Sequence, residues 1–273
     1  MTQTRISAPG RAELDLAFTS FIGMDGGNPN AALWVCDVAP LFSCMPSLRA
    51  LRPEKQPGSW NAAFRRANAH FFQQWQTHYR IARVIASAYA STLAPAHSPI
   101  DATEYFYHYL YAPHGWEFKL NLFPFPENPR PNRPWNEAFE EDSVLRSKSA
   151  YLHLCRDGGR FRFISKLRHL HQPRIILCLG QRHRYDYLRA FGFEGIDGIE
   201  EILQPADMPQ SLYVFEHERT ALVLSPSLGG PKGLSSNVLL DALGAYLARR
   251  LDASDFPPHP GARLTAFSLS ASQ

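Results

Sequence analysis

Three short stretches of the sequence carry residue types at spacings that are typical of chemistry. Asp25 stands in Gly-Met-Asp-Gly-Gly, after an apolar run, and Asn121 lies within the apolar stretch Lys-Leu-Asn-Leu-Phe. Residues 225–236, Ser-Pro-Ser-Leu-Gly-Gly-Pro-Lys-Gly-Leu-Ser-Ser, combine glycines with hydroxyls and Lys232. A carboxylate in a tight turn can orient water or stabilise positive charge, and an amide can bond a base edge. A glycine-rich backbone before a helix can bind an anion.

Each stretch also has an ordinary structural interpretation. Asp25 suits an Asx turn, Asn121 can satisfy local backbone, and 225–236 can be a turn that ends in a helix cap. The last stretch is not a Walker loop, because the order Gly-Lys-Ser/Thr is missing, and no Gly-x-Ser-x-Gly turn indicates a serine hydrolase. None of the three therefore defines a site alone.

Composition excludes several classes of protein. Of the 273 residues 45% are apolar and 19% are charged, with a net charge of +3, and no apolar run is long enough to cross a membrane. The start lacks a signal peptide, so we expect a cytoplasmic monomer. Cys36, Cys44, Cys155 and Cys178 form no Cys-x-x-Cys pair, and Cys178 suits a buried thiol. We expect no disulfide, metal ion, iron–sulfur cluster or other cofactor.

The patterning of the N-terminal half predicts mainly helices. We expect a strand at 18–23 and a helix that Asn28-Pro29 opens and that continues through Leu33. A long helix should begin at Ser59, and a short one should lie within 104–116. The apolar face of the long helix would consist of Ala63, Phe64, Ala67, Phe71, Trp75 and Ile81.

The second half alternates strands with helices. A strand at 118–122 should precede helices from about Ser143 and through Lys166, separated by a loop at 157–159. The continuous apolar run 174–180 predicts a fully buried strand, followed by a helix that stops at Gly192. Residues 212–218 and 221–227 should form a hairpin, and Ser236 should cap the last helix.

This alternation predicts a three-layer α/β/α sandwich around a mostly parallel sheet. We expect one domain over 1–260, a helical insertion at about 46–116 and a disordered tail at 261–273. The insertion would either add packing or roof a pocket. Ligands of such sheets bind beyond the carboxyl ends of the strands, so the loops after Ile22, Leu122, Leu179 and Leu224 should converge.

Charge distribution indicates a polyanionic partner. Residues 156–189 contain nine Lys or Arg and two Asp. Such an excess is a plausible contact surface for a phosphate backbone, although a solvated helical face gives the same pattern.

The order of the four loops resembles the uracil-DNA glycosylase superfamily. The first strand there ends in Gly-x-Asp/Asn, which Gly23, Met24 and Asp25 match, with Gly26 and Gly27 following. A base-reading asparagine in an apolar strand matches Asn121, a strand that ends in glycine matches 175–180, and His-Pro-Ser is matched by Ser-Pro-Ser.

The resemblance implies a role for each matching residue. Asp25 would position the hydrolytic water, Asn121 would recognise the base, and Ser227 would hold a phosphate. Ser225 stands where a histidine stabilises the departing base. Leu228 or Leu234 would be the wedge that enters the duplex, and Trp34 or Phe42 would stack on the base. Independently of the resemblance, the basic segment and the glycine-rich loop would supply further contacts with DNA through Arg182, Arg184, Lys232 and Ser235.

Two departures from the family pattern bear on the substrate. Gly27 replaces the tyrosine that excludes a C5 substituent, and Ser225 replaces the histidine. The resemblance therefore implies a monofunctional DNA glycosylase that excises a C5-substituted pyrimidine, in repair or in defence against foreign modified DNA. A non-catalytic nucleotide- or DNA-binding module is the alternative.

Overall fold

The computed structural model describes residues 9–40, 51–93, 100–127, 134–140, 142, 144–204 and 209–258. Seven strands form one sheet in the order β1-β3-β2-β4-β7-β6-β5. They are β1 (Gly26–Gly27), β2 (Leu33–Asp37), β3 (Glu117–Asn121), β4 (Ile175–Leu179), β5 (Ile199–Leu203), β6 (Gln210–His217) and β7 (Thr220–Ser225). Strands β3, β2, β4 and β7 are parallel, and β1, β6 and β5 are antiparallel to their neighbours.

Helices cover both faces of this sheet, an arrangement compatible with a three-layer sandwich. They are α1 (Arg11–Phe18), α2 (Ala62–Asn68), α3 (Gln76–Leu93), α4 (Ala102–His108), α5 (Trp135–Ala138), α6 (Lys148–Asp157), α7 (Gly159–His171), α8 (Arg184–Phe191) and α9 (Asn237–Ala248). Short 3₁₀ turns lie at Ala69–Gln74, Gln181–His183 and Ala253–Asp255.

Alternate residues of the central strands enter the two cores. In β2, Trp34 and Cys36 face the core formed with α1, α6, α7 and α8. Leu33 and Val35 face the core formed with α3, α4 and α9. A strand buried on both faces needs a continuous apolar run, which explains the compositions of β2 and β4.

Most elements of the second half are confirmed. Strand β4, helix α8 with Gly192 in the left-handed conformation at its end, and the β6–β7 hairpin all form. Ser236 caps α9 through the backbone N–H of Leu239. Strand β3 and the short helix α4 also form where the patterns predict them.

The first half needs correction. Residues 11–18 are helical and lead into turns, so the predicted strand at 18–23 is wrong. The helix predicted to run through Leu33 is wrong too, because a run that is apolar on two faces forms β2 instead. Sequence patterning also missed the edge strand β5, whose residues are largely exposed.

The predicted boundaries of two helices also change. The helix expected from Ser59 begins at Ala62, where the Asn61 side chain accepts from the Phe64 N–H, and is interrupted before α3. Phe71 from the predicted apolar face is exposed. The helix expected from about Ser143 begins at Lys148, behind a Ser147 cap.

The predicted insertion supplies packing. Trp60, Phe72, Ile81 and Tyr105 lie in the same buried core as Leu33 and Val35 of β2. Helix α3 covers this face of the sheet together with α9. The described part of this segment therefore belongs to the core that Leu33 and Val35 enter. The predicted disordered tail lies outside the described residues.

Candidate functional site

The carboxyl ends of the parallel strands open into a cleft of about 770 Å³. Its walls come from the loop after β2 (37–40), the loop after β3 (126 and 127), the β4–α8 turn (179–183) and the loop after β7 (226, 227 and 232). We call this space the carboxyl-edge cleft. It unites three of the four loops that the sequence predicts to converge. The loop after Ile22 does not line it.

Asp37 is one of two carboxylates that line this cleft, and the other is Glu127. Asp37 is the last residue of β2 and is partly exposed, and its Oδ1 accepts a hydrogen bond from the Val38 N–H at 2.7 Å. Burial raises the pKa of the Asp37 carboxyl, attraction to Lys119 lowers it, and repulsion by Asp25 and Glu127 raises it, with a net upward shift. An apolar strand that ends in a carboxylate is a signal that sequence reasoning missed, because Leu33 was assigned to a helix and residues 34–37 were assigned to no element.

Asp25 lies behind the cleft, in the turn before β1. Its side chain is 18% exposed, and its Oδ2 accepts from Lys119 Nζ and from Asn121 Nδ2, each at 3.1 Å. His78 Nε2 lies 3.9 Å from Oδ1. Burial favours the neutral acid, but the charges of Lys119 and His78 and the hydrogen bonds outweigh it and lower the pKa of Asp25. Asp25 is thus an ion-paired carboxylate.

Asn121 is completely buried beside this ion pair. Its Oδ1 accepts from Lys119 Nζ at 2.7 Å, and its Nδ2 donates to the Gly23 carbonyl at 2.7 Å as well as to Asp25. The amide is therefore bonded within the protein and does not line the cleft, where the predicted base recognition would require it.

A second polar layer extends from Asp25 towards α4. His78 Nδ1 lies 3.0 Å from the Tyr111 hydroxyl, and burial lowers the pKa of His78 to about 4. Glu117 accepts from the Tyr111 N–H at 2.5 Å and from the Tyr105 hydroxyl. Burial raises the pKa of Glu117 to about 7, although these hydrogen bonds and Arg65 oppose the shift. These groups form a buried network between β3, α3 and α4.

The glycines around Asp25 serve close backbone packing. A Cβ on Gly27, which has a φ of +106°, would lie 2.5 Å from the Glu117 carbonyl oxygen. A Cβ on Gly23 would lie 2.3 Å from the Pro124 carbonyl oxygen, and a Cβ on Gly26 would lie 2.0 Å from the Gly58 carbonyl oxygen. Met24 is buried in the core. The hypothesis that Gly27 leaves a pocket open is therefore wrong.

The loop after β7 divides into buried and exposed parts. The Ser225 hydroxyl is buried and donates to the carbonyl of Pro226 at 2.9 Å. Leu228 and Leu234 lie in the core, so neither is placed to act as a wedge. Ser227 and Lys232 are exposed and line the cleft. Ser235 is exposed beyond them.

Neither candidate for base stacking lines the cleft in the described part of the chain. Trp34 is completely buried, its indole N–H donates to the Pro29 carbonyl, and its ring meets Phe118 edge-on. It is a core residue of β2. Phe42 lies outside the described residues.

Much of the basic segment 156–189 has structural roles. Arg160 is buried and donates to the carbonyls of Ser20, Ile22, Asn121 and Leu122. Four other arginines that do not line the cleft form ion pairs: Arg156 with Asp186, Arg168 with Glu218, Arg174 with Asp252 and Arg189 with Asp157. Arg184 lies over the rings of Tyr213 and Phe215, and only Arg182 of this segment's cations lines the cleft.

Arg182 is held at the cleft wall by an ion pair. Its Nη2 lies 3.2 Å from Glu127 Oε1, and both side chains are substantially exposed. An exposed pair of this kind contributes little stability, so its arginine is available to a stronger anion such as a phosphate.

The described residues form neither a metal site nor a membrane-spanning helix. No group of three His, Cys, Asp or Glu side chains there is arranged to hold a metal ion. No helix in the same part of the chain combines the length and the apolar character needed to span a bilayer. Cys36, Cys155 and Cys178 are buried free thiols.

Comparison of the chain with protein-family models, curated proteins and solved structures gave no match.

Proposed function

We propose that the protein is a monofunctional DNA glycosylase related to the uracil-DNA glycosylase superfamily, with Asp37 as its catalytic carboxylate. One observation carries the proposal: Asp37 ends the first parallel strand and lines a cleft that also contains Ser227, Arg182 and Lys232. In chain order the four parallel strands end at Asp37, Asn121, Leu179 before Gly180, and Ser225. This order supports the family resemblance better than a motif centred on Asp25 does.

Asp37 suits the activation of water. Above its pKa the carboxylate can accept a proton from a water molecule beneath C1′ of a flipped nucleotide, and it can stabilise an oxocarbenium-like sugar. A pKa raised by burial makes the carboxylate a stronger base than a solvated aspartate. The products would be the free base and an abasic site.

Other cleft residues would bind the DNA. Arg182 and Lys232 supply positive charge for phosphates. The exposed Ser227 hydroxyl donates to the Gly229 carbonyl at 3.1 Å and would exchange this bond for one to a phosphate. His183 also lines the cleft, where its Nε2 accepts a hydrogen bond from Arg182 Nε at 2.9 Å and its Nδ1 lies 3.8 Å from Asp186 Oδ2, so this ring helps to hold Arg182 in place.

When Asp37 instead of Asp25 is the catalytic carboxylate, a different residue would contact a C5 substituent of the base. The family's tyrosine stands two positions after the carboxylate, which is Ala39 when that carboxylate is Asp37. Ala39 lines the cleft and has only a methyl group. A C5-substituted pyrimidine therefore remains the proposed substrate class.

Excision assays test the proposal directly. We would incubate the protein with single- and double-stranded oligonucleotides that contain uracil or C5-substituted pyrimidines, then cleave abasic sites with alkali. Asp37→Asn should slow single-turnover excision by about 10²-fold or more, with little change in DNA affinity. Asp197→Asn, which neutralises an exposed carboxylate away from the cleft, is the control and should retain the excision rate.

Two outcomes would contradict the proposal. Full excision by a folded Asp37→Asn would remove Asp37 from the mechanism. The absence of alkali-labile sites with every substrate, in wild-type protein that binds DNA, would favour the second candidate. That candidate is a non-catalytic nucleotide- or DNA-binding module. It is favoured by the buried, internally bonded side chains of Asn121 and Ser225.

A further inference from the structure

A buried lysine lies next to the proposed catalytic strand. Lys119 is 3% exposed, and its Cα pairs with that of Val35 in the parallel register of β2 and β3. Its Nζ donates to the Leu120 carbonyl at 3.1 Å and to Asn121 Oδ1 at 2.7 Å. The ammonium group therefore extends along β3 towards its carboxyl end, where Asn121 pairs with Asp37.

Asp25 holds this ammonium group from the other side. Its Oδ2 accepts from both Lys119 Nζ and Asn121 Nδ2 at 3.1 Å, which closes a ring of three hydrogen-bonded side chains. A buried lysine requires such a counter-charge, since an unpaired ammonium group in the interior is costly. The ring also fixes the orientation of the Asn121 amide.

We infer that Lys119 and Asp25 are positioning residues that act in opposite directions on the charge of Asp37. Lys119 attracts the Asp37 carboxylate, whereas Asp25 repels it and partly cancels the lysine charge. The inference deepens the proposed function, because it assigns control of the proposed catalytic carboxylate to the buried pair behind it.

Other groups around Asp37 also bear on its ionisation. The titratable groups that influence the pKa of Asp37, or whose pKa Asp37 influences, are Lys119 on β3, Asp25 before β1, Glu127 after β3, Tyr111 after α4, Cys36 beside it on β2, Cys178 on β4 and Tyr187 on α8. Arg182, His183 and Lys232 line the same cleft. Lys119 has the largest favourable influence on the Asp37 carboxylate, and burial is the main opposing effect.

An NMR titration tests the inference without a substrate. The Cγ signal of Asp37, assigned by its loss in Asp37→Asn, would be followed against pH in protein labelled with ¹³C-aspartate. Lys119→Met should raise the titration midpoint by about one pH unit or more, and Asp25→Asn should lower it. Lys166→Met removes an exposed lysine on α7 and should leave the midpoint unchanged.

Because the two single variants should shift the titration midpoint of Asp37 in opposite directions, the measurement distinguishes electrostatic positioning from a merely structural role. General loosening of the fold would not move the midpoint upward in one variant and downward in the other. If Lys119→Met fails to fold, Asp25→Asn is tested alone and beside the double variant Asp25→Asn/Lys119→Met, which leaves no unpaired buried charge. The double variant should titrate above Asp25→Asn.

The excision assay then links the pair to activity. The acid limb of the pH profile of kcat/KM should move with the NMR midpoint of each variant. Unchanged midpoints, or shifts in the same direction in both single variants, would overturn the inference. Absence of excision by wild-type protein would overturn the proposed function, while the titration would still decide the inference about Lys119 and Asp25.

Discussion

Ala39 is the single residue at which the proposed specificity can be tested most directly. It lines the carboxyl-edge cleft two positions after Asp37 and is 9% exposed. Ala39→Tyr should fill the space that a C5 substituent would occupy, while unsubstituted uracil would still fit in the cleft. We expect the ratio of excision rates, C5-substituted over unsubstituted base, to fall about tenfold or more.

Ala39→Ser is the control for this variant, since it changes polarity but hardly changes volume. Single-turnover rates on paired oligonucleotides would give the ratio for each protein. A ratio that stays constant in a folded Ala39→Tyr would show that this wall does not contact the base. Gly27 cannot serve the same test, because a side chain there collides with the Glu117 backbone.

Among the individual residues, the sequence predicted which loops line the cleft better than it predicted which side chains there could act in catalysis. Arg182, Ser227 and Lys232 do line the cleft, because their positions follow from recognising β4 and β7. Sequence patterning indicated Asp25 because its glycine-rich turn resembles a motif, and it did not identify Asp37 as a candidate. That choice depended on which apolar run is the first parallel strand, which local pattern alone did not resolve.

At the scale of elements, the buried network in which Tyr111 links His78 of α3 to Glu117 of β3 should give a measurable pH dependence. His78 of α3 has a pKa of about 4 in the folded protein against 6.5 when unperturbed, so its contribution to stability is present above pH 6.5 and is lost towards pH 4. Glu117 of β3 has a pKa of about 7 against 4.5, so its contribution is present below pH 4.5 and is lost towards pH 7.

The two dependences therefore cancel between about pH 4.5 and 6.5. In Glu117→Gln only the His78 dependence remains, and the free energy of unfolding should rise by up to about 1.4 kcal/mol per pH unit relative to wild type. Urea unfolding at a series of pH values measures this slope. Glu200→Gln, on the exposed strand β5, should keep the wild-type slope. An unchanged slope in Glu117→Gln would contradict the assignment.

The elements that sequence patterning predicted are those with one unambiguous period or a clear boundary. Strand β4 is a continuous apolar run between proline and glycine, and α9 has an apolar stripe behind a serine cap. The N-terminal errors have a physical cause. Residues 11–18 have one apolar helical face, but Phe18 continues into the apolar residues of a turn, so the run resembles a strand.

At the scale of the whole molecule, the sheet places the described ends of β2, β3, β4 and β7 at one edge. Residues that are far apart in the chain, such as Asp37 and Ser227, therefore meet in one cleft. The alternation of strands and helices predicted this convergence. The positive charge of the basic segment could not be assigned in advance, because burial and ion pairing of its arginines depend on tertiary contacts with residues such as Asp186 and Glu218.

The same distribution of charge predicts which cations contribute to DNA affinity. The logarithm of the binding constant should fall linearly with the logarithm of salt concentration. Arg182→Gln and Lys232→Gln, at the cleft, should each reduce the slope by about 0.9 for duplex DNA if each cation contacts one phosphate. Arg219→Gln changes the β6–β7 turn at the opposite edge of the sheet and should leave the slope unchanged.

Glu127 supplies a variant with the opposite expected effect. Its carboxylate pairs with Arg182 in the free protein and would face the approaching phosphates. Glu127→Gln should therefore bind DNA more tightly than wild type, and the difference should shrink as salt screens the charges. Fluorescence anisotropy with a labelled oligonucleotide at several salt concentrations measures both effects. Equal slopes in the cleft variants and in Arg219→Gln would show that DNA does not approach this edge of the sheet.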